Sequence, residues 1–210
     1  MIQKPILRVE VNSLTHYYRK GTEPFRSLSA LSDAEAIRIM EGLYVEGSVI
    51  WERFKDPHEY LQSRRQTEQW LRREFVLRGG DPQEPYPIYM VLGRSSWVDR
   101  MADAATLATT AEIHIPLSIL RECEVSFTYP DSMISLWFGQ DKPAAYYRPE
   151  LHGRVFTRSE ILALVGSDGL PGEGDEHSRW VANMPDSLAH YIEAQVWNRR
   201  PLLEYLDTCG

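Results

Sequence analysis

Leu7, Val9 and Val11 alternate with Arg8, Glu10 and Asn12, which is the period of a half-buried strand. If that extended run continues, Leu14, His16 and Tyr18 share one face. Ser32-Asp33-Ala34-Glu35 then reads as a capping box, and Ile37, Met40 and Tyr44 follow at helical spacing to an end near Gly47. A second helix opens at Asp56-Pro57-His58-Glu59, with an acceptor cap, proline in the first turn and an acid behind it. It runs to Gly79-Gly80 and carries Trp70, Leu71, Phe75 and Leu77 on its apolar side. Three prolines make 81–87 a loop. Ile88 to Leu92 is apolar enough for a buried strand, and Ser95 to Leu107 has helical composition behind a serine cap. Ala111 to Pro116 and Val125 to Tyr129 are two further strands, and Thr157-Arg158-Ser159-Glu160 is a capping box for a short helix stopping at Gly166. Tyr191 to Trp197 closes the series as a strand, followed by Pro201 and a small apolar turn or helix.

This order predicts an α+β fold with mixed sheets and flanking helices. Neither a repeat nor a composition break divides the chain, so 1–210 is expected to be a single domain with a flexible acidic, glycine-rich loop at about 166–178. The net charge of −7 argues against a surface that coats duplex nucleic acid, which calls for a concentrated basic face, but leaves room for a small basic cleft. Arg65 and Arg72 fall on one face of the second helix, and a solvated face of ion pairs is the simpler reading of them. Two cysteines, Cys123 and Cys209, make no disulfide framework, and the first residues lack the apolar run of a signal peptide. A cytoplasmic protein with no membrane partner is therefore expected.

Most chemistries find no support. Six scattered histidines include no His-Glu-x-x-His pair, so no metal site is expected. Gly93-Arg94-Ser95-Ser96-Trp97 lacks the second glycine of a nucleophile elbow, and there is no phosphate-cradling glycine loop. The last strand differs. Alternation puts Ile192, Ala194 and Val196 on one side, and Tyr191, Glu193, Gln195 and Trp197 on the other. That second face suits either a solvent-facing edge or a cleft in which a carboxylate gains catalytic value.

Three segments in order resemble the DarT-like group of ADP-ribosyltransferases. Glu193-Ala194-Gln195-Val196-Trp197-Asn198-Arg199-Arg200-Pro201-Leu202 is similar to the closing strand that carries that family's catalytic glutamate. Leu14-Thr15-His16-Tyr17-Tyr18 is similar to its histidine strand, and Pro87-Ile88-Tyr89-Met90-Val91-Leu92-Gly93-Arg94-Ser95-Ser96 to its aromatic strand and following Arg-Ser segment. The resemblance implies an ADP-ribosyltransferase-like fold, NAD as substrate and transfer of ADP-ribose to an unknown acceptor, nucleic acid or protein. It implies Glu193 as catalytic residue, and His16, Tyr17, Tyr89 and Arg94 around the dinucleotide. Read as the Gln/Glu-x-Glu motif of other transferases, however, Glu193-Ala194-Gln195 puts Gln195 in the catalytic place. His16 is otherwise a strand histidine bonded to a carbonyl, and Arg94 a partner for Asp99 or Asp103. The alternative function is a non-catalytic interaction module that grips a partner through the arginine-rich helix or the aromatic strand.

Overall fold

The computed structural model describes residues 11–172, 180, 184–185 and 187–209. The opening alternation over 7–10 and the acidic part of the glycine-rich loop, 173–178, lie outside the described residues. Strands β1 (Ser13–Arg19), β2 (Ile88–Leu92), β3 (Thr110–Pro116), β4 (Val125–Thr128) and β5 (Glu193–Val196) form one sheet in the order β3-β1-β2-β5-β4. The chain is thus α+β with flanking helices, but the sheet is not mixed: all four ladders are antiparallel. Alternation reports which face of a strand is buried, and it is the same for parallel and antiparallel neighbours.

Register sorts the sheet into two faces. Leu14 lies opposite Leu92 and Ile115, Met90 opposite Ala194, and Phe127 also opposite Ala194. These residues form the main apolar core with Ile161, Val165, Trp180 and Leu202. On the other face Val91 and Thr128 flank Glu193, while Tyr89 and Ser126 flank Gln195. This face is polar at its centre and covered by helix α2 (Pro57–Leu77), whose Leu71 and Phe75 pack on Trp197 and Val155. The Tyr191–Trp197 segment is therefore no solvent-facing edge, since β5 has a hydrogen-bonded neighbour on each side.

Local signals set the helix starts. Ser32 accepts the Glu35 amide at the head of α1 (Asp33–Leu43), and Asp56 accepts the Glu59 amide before α2. Glu35 closes no reciprocal bond because its carboxylate meets Arg26 at 3.5 Å. Thr157 and Glu160 complete a reciprocal box at α6 (Arg158–Asp168), which runs through Gly166 and stops at Gly169. The span 95–107 is divided between α3 (Ser96–Met101) and α4 (Ala104–Thr109), because Asp103 captures the Thr106 amide and starts a new helix. Helix α5 (Ser132–Asp141), capped by Asp131, has no counterpart in the sequence reading. Helix α7 (Arg200–Cys209) closes the chain. Among the described residues no helix is long and apolar enough to cross a membrane.

Candidate active site

The cleft begins where the sheet parts. β1 pairs with β3 at seven positions from Ser13 to Arg19, but with β2 only at Leu14–Leu92 and Thr15–Val91. Beyond Thr15 the gap is bridged by the His16 ring, whose Nε2 accepts the Phe25 amide at 3.0 Å and whose Nδ1 donates to the Tyr89 carbonyl at 3.1 Å. Both nitrogens are spent. The backbone donor at Nε2 fixes the neutral ring with its proton on Nδ1. Burial pulls its pKa down to about 4, only partly offset by the bond to Tyr89. Phe25 holds a left-handed backbone, φ 58°, against this ring, a conformation that persists only when its surroundings over-determine it. His16→Leu strands a buried amide and a carbonyl, so we expect it to destabilise the fold by about 2–4 kcal/mol, read from urea midpoints at pH 7.

Glu193, 8% exposed, sits on the face of β5 turned away from the apolar core. Its Oε1 accepts the Ser132 amide at 3.1 Å and the Gln195 side-chain amide at 3.0 Å. Ser132 opens α5, so the carboxylate faces the positive end of that helix dipole. Burial, aided by the nearby Asp131 carboxylate, nevertheless raises Glu193 to about 7, against those two donors. Burial also raises Asp131, against the Arg53 cation. Two desolvated carboxylates thus hold their protons more tightly than exposed ones do.

Gln195 has a different environment. Its side chain is fully buried, accepts from Ser126 Oγ at 3.0 Å and donates to Thr128 Oγ1 and Glu193 Oε1, both at 3.0 Å. Trp197 Nε1 donates to the same Ser126 hydroxyl at 2.9 Å. Gln195 is a fastener inside the sheet face. Glu193 reaches the open space.

That space is a cavity of about 1020 Å³, and His16, Tyr17, Tyr89, Arg94 and Glu193 all line it. They do so unequally. Tyr89 is pinned, its hydroxyl donating to Glu68 at 3.1 Å and its ring covered by the Arg64 guanidinium at 4.3 Å. Tyr17 is half-buried, and its hydroxyl accepts the Ser95 amide at 3.4 Å. Gly93 turns the chain with φ 66° at the end of β2, and a Cβ there would lie 2.9 Å from Leu170. The turn sends Arg94 outward, 59% exposed, where it pairs with Asp99 at 3.1 Å. Arg19, Arg26, Arg38 and Arg53 line the same cavity, interspersed with the carboxylates of Glu23, Asp99, Asp103 and Glu112.

Comparison with family models, with curated proteins and with solved structures gave no match to this chain. The site therefore rests on its own geometry. The sequence reading passed over Asp131, Arg53 and Arg64; Asp131-Ser132 after Pro130 was legible as a helix start, whereas the two arginines belong to surface-like runs with no signal of their own. The arginines of α2 are not a free basic stripe: Arg64 bonds Glu68, Arg65 bonds Asp33, and Arg72 clamps the carbonyls of Pro82 and Glu84. No group of three metal-ligating side chains occurs among the described residues.

Proposed function

We propose that this chain is an NAD-dependent ADP-ribosyltransferase with an ADP-ribosyltransferase-like fold, and that NAD lies in the larger cavity with its nicotinamide ribose at Glu193. The observation that carries this reading is Glu193 itself, a desolvated carboxylate held by two donors and lining a cavity that also offers several arginines. Ligand pockets commonly span about 300–1,000 Å³, so the cavity has the room a dinucleotide needs. Cleavage of the nicotinamide bond leaves positive charge on the ribose, and an anion placed beforehand in low dielectric stabilises that charge most effectively. Planar guanidinium groups suit the pyrophosphate, which favours Arg94 and the arginines beside it as phosphate donors. Tyr17 and Tyr89 supply aromatic faces next to the ribose site. His16, with both nitrogens engaged, supports the wall instead of binding the ribose hydroxyls directly.

The experiment is thermal unfolding with and without NAD. At NAD about 100 times its dissociation constant the fold should gain about 2.7 kcal/mol, and adenosine alone should give less. No shift at millimolar NAD, for both the wild type and Glu193→Gln, overturns the reading.

A further inference from the structure

Glu193 lines two adjoining cavities. A second cavity of about 410 Å³ opens against it, and Arg53, Tyr89, Trp97, Tyr191 and Glu193 line both spaces. Asp131 lines only the smaller one, together with Tyr60, Arg64 and Ser132. Asp131 is 8% exposed as a residue and fixed at one carboxylate oxygen, Oδ1 accepting the Ile134 amide at 3.0 Å as the cap of α5. A transfer reaction must bring two reactants to one centre from different directions, and it needs a group to take the acceptor's proton as the new bond forms. We propose, resting on the function proposed above, that the smaller cavity is the acceptor site and that Asp131 is its general base, serving a neutral protic acceptor such as a hydroxyl or an amide-type N–H.

The step balances. The bond between ribose C1′ and the nicotinamide nitrogen breaks with its electron pair going to nicotinamide, which leaves neutral. The acceptor's oxygen or nitrogen lone pair forms the new bond to C1′, and its proton passes to Asp131 and then to solvent. The groups facing Asp131 suit this role: the Arg53 and Arg64 cations favour its ionised form against the burial that raises it, while its own charge helps raise the neighbouring Glu193 and Tyr191. Burial raises the Asp131 carboxyl above its usual value, making it a better proton acceptor than an exposed aspartate.

The test uses NAD as the only substrate, with water as acceptor, and compares wild type, Asp131→Asn and Asp131→Ala. Asparagine still caps α5. Asp131→Asn should bind NAD within about threefold of wild type by calorimetry, yet lose roughly 100-fold or more in kcat for nicotinamide release, the usual worth of a general base. Added formate should restore part of the rate in Asp131→Ala and leave wild type unchanged. Wild-type kcat in Asp131→Asn, or a loss in Asp131→Ala that formate does not relieve, overturns the assignment of Asp131. A wild type that neither binds nor cleaves NAD overturns the proposed function and this inference with it, a failure visible before any substitution is made.

Discussion

Glu193→Gln is expected to lower the rate of NAD cleavage by about 10²–10³, equivalent to about 2.7–4 kcal/mol of lost transition-state stabilisation. The substitution is nearly isosteric. An amide oxygen at the Oε1 position still accepts from the Ser132 and Gln195 donors, so the wall of the cavity is conserved. What disappears is the negative charge opposite the ribose. NAD affinity should therefore stay within a few-fold while kcat falls, the signature of an interaction made chiefly in the transition state. The wild-type profile should also show its origin. Since the carboxyl of Glu193 is raised to about 7, its working, ionised form is lost as pH falls through that value, and the acid limb of kcat/KM should lie near it. Stability runs the other way. An acid whose folded pKa lies above its unfolded one costs nothing where both states are protonated, near pH 4, and its full penalty is present above about 7. Wild type should lose this contribution to stability between those limits, whereas Glu193→Gln should not. Paired urea melts at pH 5 and 8 check it, and equal pH dependence in the two proteins counts against a desolvated carboxylate.

How far this site could be read beforehand depended on which physical signal each residue carries. Strands β2 and β3 announced themselves by an apolar run or by alternation, β1 only as the possible continuation of the alternation that opens at Leu7, and α1, α2 and α6 by side chains that cap free amides. These are local patterns, written within a few residues. Glu193 and Gln195 lie on the same strand face at the same spacing from the core, so alternation treats them alike. Only the third dimension separates them: Ser126 and Thr128 of the neighbouring strand engage the Gln195 amide, while Glu193 lines the cavity. His16 shows the same limit. Its bond to a backbone carbonyl was the ordinary expectation for a strand histidine, but the Phe25 amide that occupies its second nitrogen comes from a turn with an unusual backbone that no residue type signals. Arg53 and Arg64 were hidden for a related reason, being arginines among other charged residues whose direction is set in the fold, Arg53 by the Ile50 carbonyl and Arg64 by Glu68 and the Tyr89 ring.

Gln195→Glu separates the two candidate positions by experiment. Were residue 195 the catalytic place, a glutamate there would create or raise activity. In the fold observed it does the opposite. The Gln195 amide now donates to Glu193 at 3.0 Å and to Thr128 at 3.0 Å; the Thr128 hydroxyl can turn to donate to a carboxylate, but Glu193 cannot, so two buried anions are set against each other. An uncompensated buried charge of this kind costs about 3–5 kcal/mol. The penalty is electrostatic, so its pH dependence is fixed in sign: the introduced acid has a folded pKa raised by burial and by Glu193, which leaves little cost near pH 4 and the whole cost at pH 8. Urea midpoints should fall steeply between those values in Gln195→Glu and only modestly in Gln195→Met, which removes the donor without adding charge. In a Glu193→Gln background the glutamate at 195 should restore no NAD cleavage, because its carboxylate faces Ser126 and Thr128 and not the cavity. Recovery of activity in that double variant would move the catalytic carboxylate two residues along the strand and overturn the assignment of Glu193.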